Sequence, residues 1–175
     1  MRHLATAAIL AAHAAIFTTT AARAQEAERV ASETDWAIFD ESDPKECWSV
    51  SAPKESVNTR DGRVVAVRRG DILLFVYYRP NEEEKGVVAY TGGYPFAGGS
   101  TVTLEVAGTS FELFTEGEWA WPATAADDAK LVTALKRGSE AKVTGRSSRG
   151  TQTQDTFSLL GFTAALEEAE KRCSG

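Results

Sequence analysis

Apolar residues recur at every second position over two neighbouring stretches in the second half of the chain. Val102, Leu104 and Val106 alternate with polar residues in 101–106, and Phe111 and Leu113 do so in 110–115. That period of two, with Ala107-Gly108-Thr109 between the runs, predicts an antiparallel hairpin with one covered face and one largely wet face. Residues 72–78 follow a different rule: Leu73, Phe75 and Tyr77 are apolar on one parity, and Leu74, Val76 and Tyr78 on the other. Neither face reads as solvated, so this run is predicted to be a central strand. Shorter strand patterns occupy 35–39, 47–51, 63–68, 86–90 and 119–121, separated by turn-forming segments at 40–46, 58–62 and 116–118.

The period changes to that of a helix after Pro122. Thr124-Ala-Ala-Asp127 is a capping-box-like start, and Ala129, Leu131, Val132 and Leu135 then form one apolar face. Lys136 and Arg137 fall in the last turn, and Gly138 is placed to end the helix as its C′ residue. Residues 141–145 and 151–159 predict a polar hairpin around Ser148-Arg149-Gly150, read as a sheet edge. Beyond the turn at Gly161, a second short helix carries Phe162 and Leu166 and reaches Cys173. Phe157, Leu159, Phe162 and Leu166 are expected to seat this tail on the core.

The first 24 residues form a separate unit. Arg2, an alanine-rich apolar run over 4–17, and Ala22-Arg23-Ala24 match a secretory signal peptide with a small-x-small cleavage site. Cleavage after Ala24 would take 24 residues from 175 and leave 151, enough for one self-sufficient domain. Residues 25–34, polar and acidic, read as a flexible leader, and 35–175 as a single domain. No later stretch is long and apolar enough to span a membrane, so the expectation is a periplasmic, secreted or envelope-associated protein rather than an integral membrane protein.

Charge and histidine content narrow the chemistry. The chain has 19 basic and 25 acidic residues; losing Arg2 and Arg23 leaves 17 against 25, a net charge of −8. That sign disfavours nucleic acid as a partner. Both histidines, His3 and His13, leave with the signal peptide, so the mature chain has no imidazole for a catalytic triad, for acid–base work or for zinc. Its only cysteines, Cys47 and Cys173, lack a C-x-x-C spacing and in an oxidising compartment are expected to form one disulfide. The two S-x-x-K segments, 42–45 and 51–54, lack the helical setting and the companion motifs of serine β-lactamase chemistry. No catalytic constellation, cofactor motif or metal-ligand set emerges.

Three features remain as candidate surfaces. Arg69-Gly70-Asp71 reads first as the turn between strands 63–68 and 72–78, and alternatively as an adhesion tripeptide. In the glycine-rich loop 91–100, Tyr94 and Phe96 could be presented to a partner, although Phe96 plugging the core is preferred. Trp119 and Trp121 share one parity and could wall the core or line a binding surface.

Residues 36–47, the helical stretch from Asp127 to Gly138 leading into Val143-Thr144-Gly145, and above all Asp155-Thr-Phe-Ser-Leu-Leu-Gly-Phe-Thr-Ala-Ala-Leu166 with Cys173 resemble the invasion-associated locus B family of exported α-proteobacterial proteins. The resemblance spans most of the mature chain. It implies an all-β, antiparallel, sandwich-like domain with one or two short helices in the C-terminal third, in the periplasm or at the envelope. Many members carry a further cysteine just after the position of Trp36; here Ala37-Ile38-Phe39 stands in that neighbourhood, which leaves one disulfide. The function expected is a non-enzymatic domain binding an envelope or host protein or glycan, contributing in some organisms to host-cell association. The alternative is a carboxylate-based hydrolase of envelope glycans, drawing on Asp61, Asp71, Glu105, Glu112, Glu116, Glu118 or Asp155.

Overall fold

The computed structural model describes residues 28–80 and 84–174. The expected signal peptide lies outside the described residues. In chain order the strands are β1 (Glu28–Glu33), β2 (Trp36–Ser42), β3 (Lys45–Ser51), β4 (Glu55–Arg60), β5 (Arg63–Val64), β6 (Leu73–Arg79), β7 (Glu84–Thr91), β8 (Thr101–Val106), β9 (Thr109–Glu116) and β10 (Trp119–Trp121). Helix α1 (Ala125–Arg137), strands β11 (Glu140–Arg146) and β12 (Gln152–Ser158), and helix α2 (Phe162–Cys173) complete the chain. The antiparallel all-β class with two helices is therefore as expected. The two layers come from one continuous sheet of twelve strands among the described residues, ordered β1-β2-β3-β6-β7-β10-β9-β8-β11-β12-β4-β5.

This sheet curls back on itself. The Trp36 indole at the start of β2 donates to the Ser158 carbonyl at the end of β12 over 3.1 Å, and the Asp35 amide donates to Leu160 O over 3.3 Å. Strands far apart in the order thus meet around one core. Ile38, Leu74, Val76, Val88, Leu104, Leu113, Val143 and Phe157 fill it, all fully buried. Helix α2 covers β2 and β3, and α1 packs on β7.

The C-terminal tail is seated as its sequence suggests. Phe157, Leu159, Phe162 and Leu166 are all buried, and the Phe162 ring meets the Trp36 ring edge-on at 4.9 Å. Gly161 enters the helix at φ 87°, and a Cβ there would lie 2.1 Å from the Glu33 carbonyl oxygen, so only glycine permits this approach. At the far end of α2, Cys173 is bonded to Cys47 on β3 with 5.8 Å between Cα atoms, a bond that spans 126 residues.

Several expectations need correction. The leader proposed for 25–34 is structured over Glu28–Glu33: β1 pairs antiparallel with β2, and Val30 and Ala31 pack on the core. An edge strand needs only one ladder and a few apolar contacts, so its polar composition hid it. The strand expected at 63–68 shrinks to Arg63–Val64, because the chain leaves the ladder to carry Arg69 inward. The polar hairpin is no edge: β11 lies between β8 and β12, and β12 between β11 and β4.

The first helix begins as predicted. The Thr124 side chain accepts from the Asp127 amide at 3.2 Å and donates to the Asp127 carboxylate at 2.7 Å. Its end differs from the expectation: Gly138 has φ −84° in extended backbone. Glycine is needed there for space, since a Cβ would meet Val106 Cγ1 at 2.4 Å and Leu159 Cδ1 at 3.0 Å.

Candidate functional site

Strand β6 explains why both parities of 72–78 are apolar. Leu74, Val76 and Tyr78 point into the core, while Leu73, Phe75 and Tyr77 point out of the sheet and are half-buried. Strand pairing then assembles rows of apolar side chains on that outer face. Phe39 lies opposite Trp48, Trp48 opposite Tyr77, and Tyr77 opposite Val87. The next row runs Ala37, Val50, Phe75, Ala89. Trp119 pairs with Thr91, itself opposite Leu73, and Trp121 pairs with Phe114 on β9. Six strands thus contribute to one aromatic surface.

Its shape is a shallow trough. A depression of about 370 Å³ has Trp48, Phe75, Tyr77, Trp119 and Trp121 among its lining, with Glu41, Glu46 and Arg79 also there. A second, of about 680 Å³, continues from it and shares Trp48 and Phe75. Trp119 is 43% exposed and Phe114 39%, high values for such side chains. The rings contact one another: Phe39 stacks on Trp48 at 5.5 Å and 7°, Phe75 tilts against Trp119 at 5.6 Å, and Phe114 meets Trp121 edge-on at 4.8 Å. Arg79 donates to Glu46 over 3.0 Å and lies 4.5 Å above the Tyr77 ring, which fixes one polar corner of the trough.

The tryptophan pair read from sequence therefore belongs to a larger face. Ala120 between them is buried, and Trp119 and Trp121 both point outward. Phe39, Trp48, Phe75, Tyr77 and Phe114 complete the surface and were not singled out in the sequence. The double-parity pattern of β6 was their signal, since a strand with no polar face must either be sandwiched or expose apolar residues.

The other candidates fall elsewhere. Phe96 is buried against Tyr90 and Tyr94, so it plugs the core and is unavailable as a binding surface. Tyr94 is half-buried with its hydroxyl 2.6 Å from Thr153 Oγ1. Arg69-Gly70-Asp71 is no hairpin turn and does not present a complete adhesion tripeptide. The Arg69 side chain is only 6% exposed and grips the fully buried Asp155 with both guanidinium nitrogens, at 2.8 and 2.6 Å. Its Nε donates to Gly92 O at 2.8 Å, and the Gly70 amide to Gly93 O at 2.9 Å, pinning the segment to the glycine-rich loop.

Asp155 is the centre of this buried network. Ser56 donates to its Oδ1 at 2.6 Å and Tyr90 to its Oδ2 at 2.5 Å, so the carboxylate accepts from three side chains. Burial alone would ease the proton off Arg69, but Asp155 more than offsets it, and the guanidinium pKa is raised. Burial, then the nearby Asp155 charge, raises the Tyr90 pKa well above the usual phenol value. The other six carboxylates considered for hydrolysis, Asp61, Asp71, Glu105, Glu112, Glu116 and Glu118, are all exposed. Among the described residues no group of three or more carboxylate or cysteine side chains is placed to hold a metal, and no helix is long and apolar enough to cross a membrane.

Fold and surface define a disulfide-clasped antiparallel β domain with an aromatic outer face. The profile described as invasion associated locus B (IalB) protein matches residues 37–170, and the chain belongs to that family. No curated protein and no solved structure matches it.

Proposed function

We propose that this IalB-family chain is an exported, non-enzymatic binding domain of the bacterial envelope, and that its partner is a protein docked on the aromatic outer face of β2, β3, β6, β7, β10 and β9. One observation carries the reading: the rows through Phe39, Trp48, Phe75, Tyr77, Trp119 and Trp121 form a contiguous apolar trough on the surface. Exposed aromatic side chains gathered on one face mark an interaction surface, and tryptophan and tyrosine are enriched among the residues that carry binding energy at protein interfaces.

Ring orientation favours protein over glycan. Stacking on a sugar needs a free ring face, whereas Phe39 and Trp48 turn their faces to each other, and Phe114 and Trp121 meet edge to face. Aliphatic Val50 and Leu73 lie between the rings, a mixture suited to a protein's apolar side chains. Host-cell association by some family members would then follow from such protein contacts.

The test is capture from a native envelope fraction by the wild-type domain and by Trp119→Glu. A protein identified by mass spectrometry should be retained by the wild type, lost with the variant, and indifferent to added soluble glycans. Equal capture by both forms, retention on insoluble envelope glycan instead, or release of reducing ends from that glycan would overturn the proposal.

A further inference from the structure

A second surface has the opposite chemistry. Where the segment around Arg69 meets the β11–β12 turn, a groove of about 480 Å³ is lined by Arg60, Arg68 and Arg149, by Tyr94 and Pro95, and by Ser147, Ser148, Thr151 and Thr153, of which Ser148 is exposed and the other three are buried. Among the described residues none of these three arginines has an ion-pair partner, and Glu118 is the one carboxylate lining the groove. Arg69, at its inner wall, is neutralised by Asp155. Three guanidiniums against one carboxylate leave a local excess of two positive charges in a chain whose net charge is −6.

The arginines stand on fixed supports. Arg60 donates to Thr151 Oγ1 at 2.7 Å. Arg68 adjoins the buried Arg69 anchor. Arg149 rides on a turn closed by Ser147 N to Thr151 O at 2.8 Å, Gly150 N to Ser147 O at 2.9 Å, and Ser148 N to Pro95 O at 2.9 Å. Unpaired guanidiniums held at a concave site select oxyanions, because their N–H groups match phosphate and carboxylate geometry. The groove has room for more than a bare ion, and the exposed Ser148 and Glu118 among its lining offer hydrogen-bond partners to a polyhydroxylated body.

We infer that this groove is a binding site for an anionic saccharide, its phosphate or carboxylate seated among Arg60, Arg68 and Arg149. The site is separate from the aromatic trough and does not depend on it. Calorimetric titration of the full chain, with the disulfide intact, tests it with glucose 6-phosphate, glucuronate, glucose and inorganic phosphate. Saturable binding is expected for at least one of the two anionic sugars, with neither glucose nor inorganic phosphate matching it; their order identifies the anion. Vesicles of phosphatidylcholine with and without lipid A separate a membrane-held phosphosugar from a free one.

Arg149→Glu, on an exposed turn, should weaken binding by about tenfold or more, and added salt should weaken the wild type in the same direction. Arg68→Ala provides a second variant should the first disturb the turn. Absence of saturable binding to either anionic sugar and to lipid A vesicles would overturn the inference. So would affinity unchanged in both folded variants, or inorganic phosphate binding as tightly as the sugars.

Discussion

Replacing Asp155 with asparagine should damage this domain more than almost any other single isosteric change. The carboxylate accepts four hydrogen bonds, from Ser56, Tyr90 and both terminal nitrogens of Arg69, and is fully buried. Asparagine keeps the shape but removes the charge and turns one acceptor into a donor, leaving the Arg69 guanidinium enclosed without a counter-ion. Removing one partner of a buried pair costs about 3–5 kcal/mol. Total stabilities run to about 5–15 kcal/mol, so the loss is a large fraction of the whole. For a domain of this size it corresponds to a fall in Tm of about 6–20 °C. Urea unfolding followed by tryptophan fluorescence, under oxidising conditions, gives the number directly. The double variant Arg69→Met with Asp155→Leu removes both charges and should recover part of the loss, the remainder coming from the Ser56 and Tyr90 hydroxyls and the Gly92 carbonyl left without their partners. If Asp155→Asn lies within about 1 kcal/mol of wild type, the guanidinium is solvated and the network is not the internal tie described.

Three further predictions concern the same framework. Cys47→Ser or Cys173→Ser should destabilise the fold by up to about 5 kcal/mol through the reopened loop of 126-residue separation, read as a lower urea midpoint matched by reduction of the wild type. Burial raises the pKa values of Tyr78, Tyr90 and Tyr94, so these phenols keep their protons in the folded state after the unfolded chain has begun to lose them. Their contribution is intact below about pH 10 and declines above it, and stability measured from pH 8 to 11 should fall over that upper range. Gly138→Ala forces a methyl group against Val106 and Leu159 and should cost about 1–3 kcal/mol, whereas alanine at a helix end with open space would be neutral; thermal melts of the variant decide this.

How much of this was legible in the chain depended on where each side chain found its partner. The hairpin of β8 and β9, helix α1 with its Thr124 cap, and the seating of Phe157, Phe162 and Leu166 were readable because local periodicity and core packing agree there. The inward turn of Arg69 was not, because its counter-charge Asp155 lies 86 residues away and nothing local distinguishes Arg69-Gly70-Asp71 from a surface turn. Strand β12 looked like an edge for the same reason: Thr153 and Asp155 are polar because they serve a buried network. Trp119 and Trp121 were visible as a pair, but their joining with Phe39, Trp48 and Tyr77 is a matter of strand order, which the spacing of short strands does not encode.

The claim that the aromatic outer face is the binding surface is tested most directly by site-specific photocrosslinking in the native envelope. Tyr77→benzoylphenylalanine places the probe within the trough, and Glu105→benzoylphenylalanine places it on the wet face of β8. A discrete protein adduct from position 77 and none from position 105 is the predicted result. Adducts of equal yield from both positions, or from position 105 alone, would contradict it.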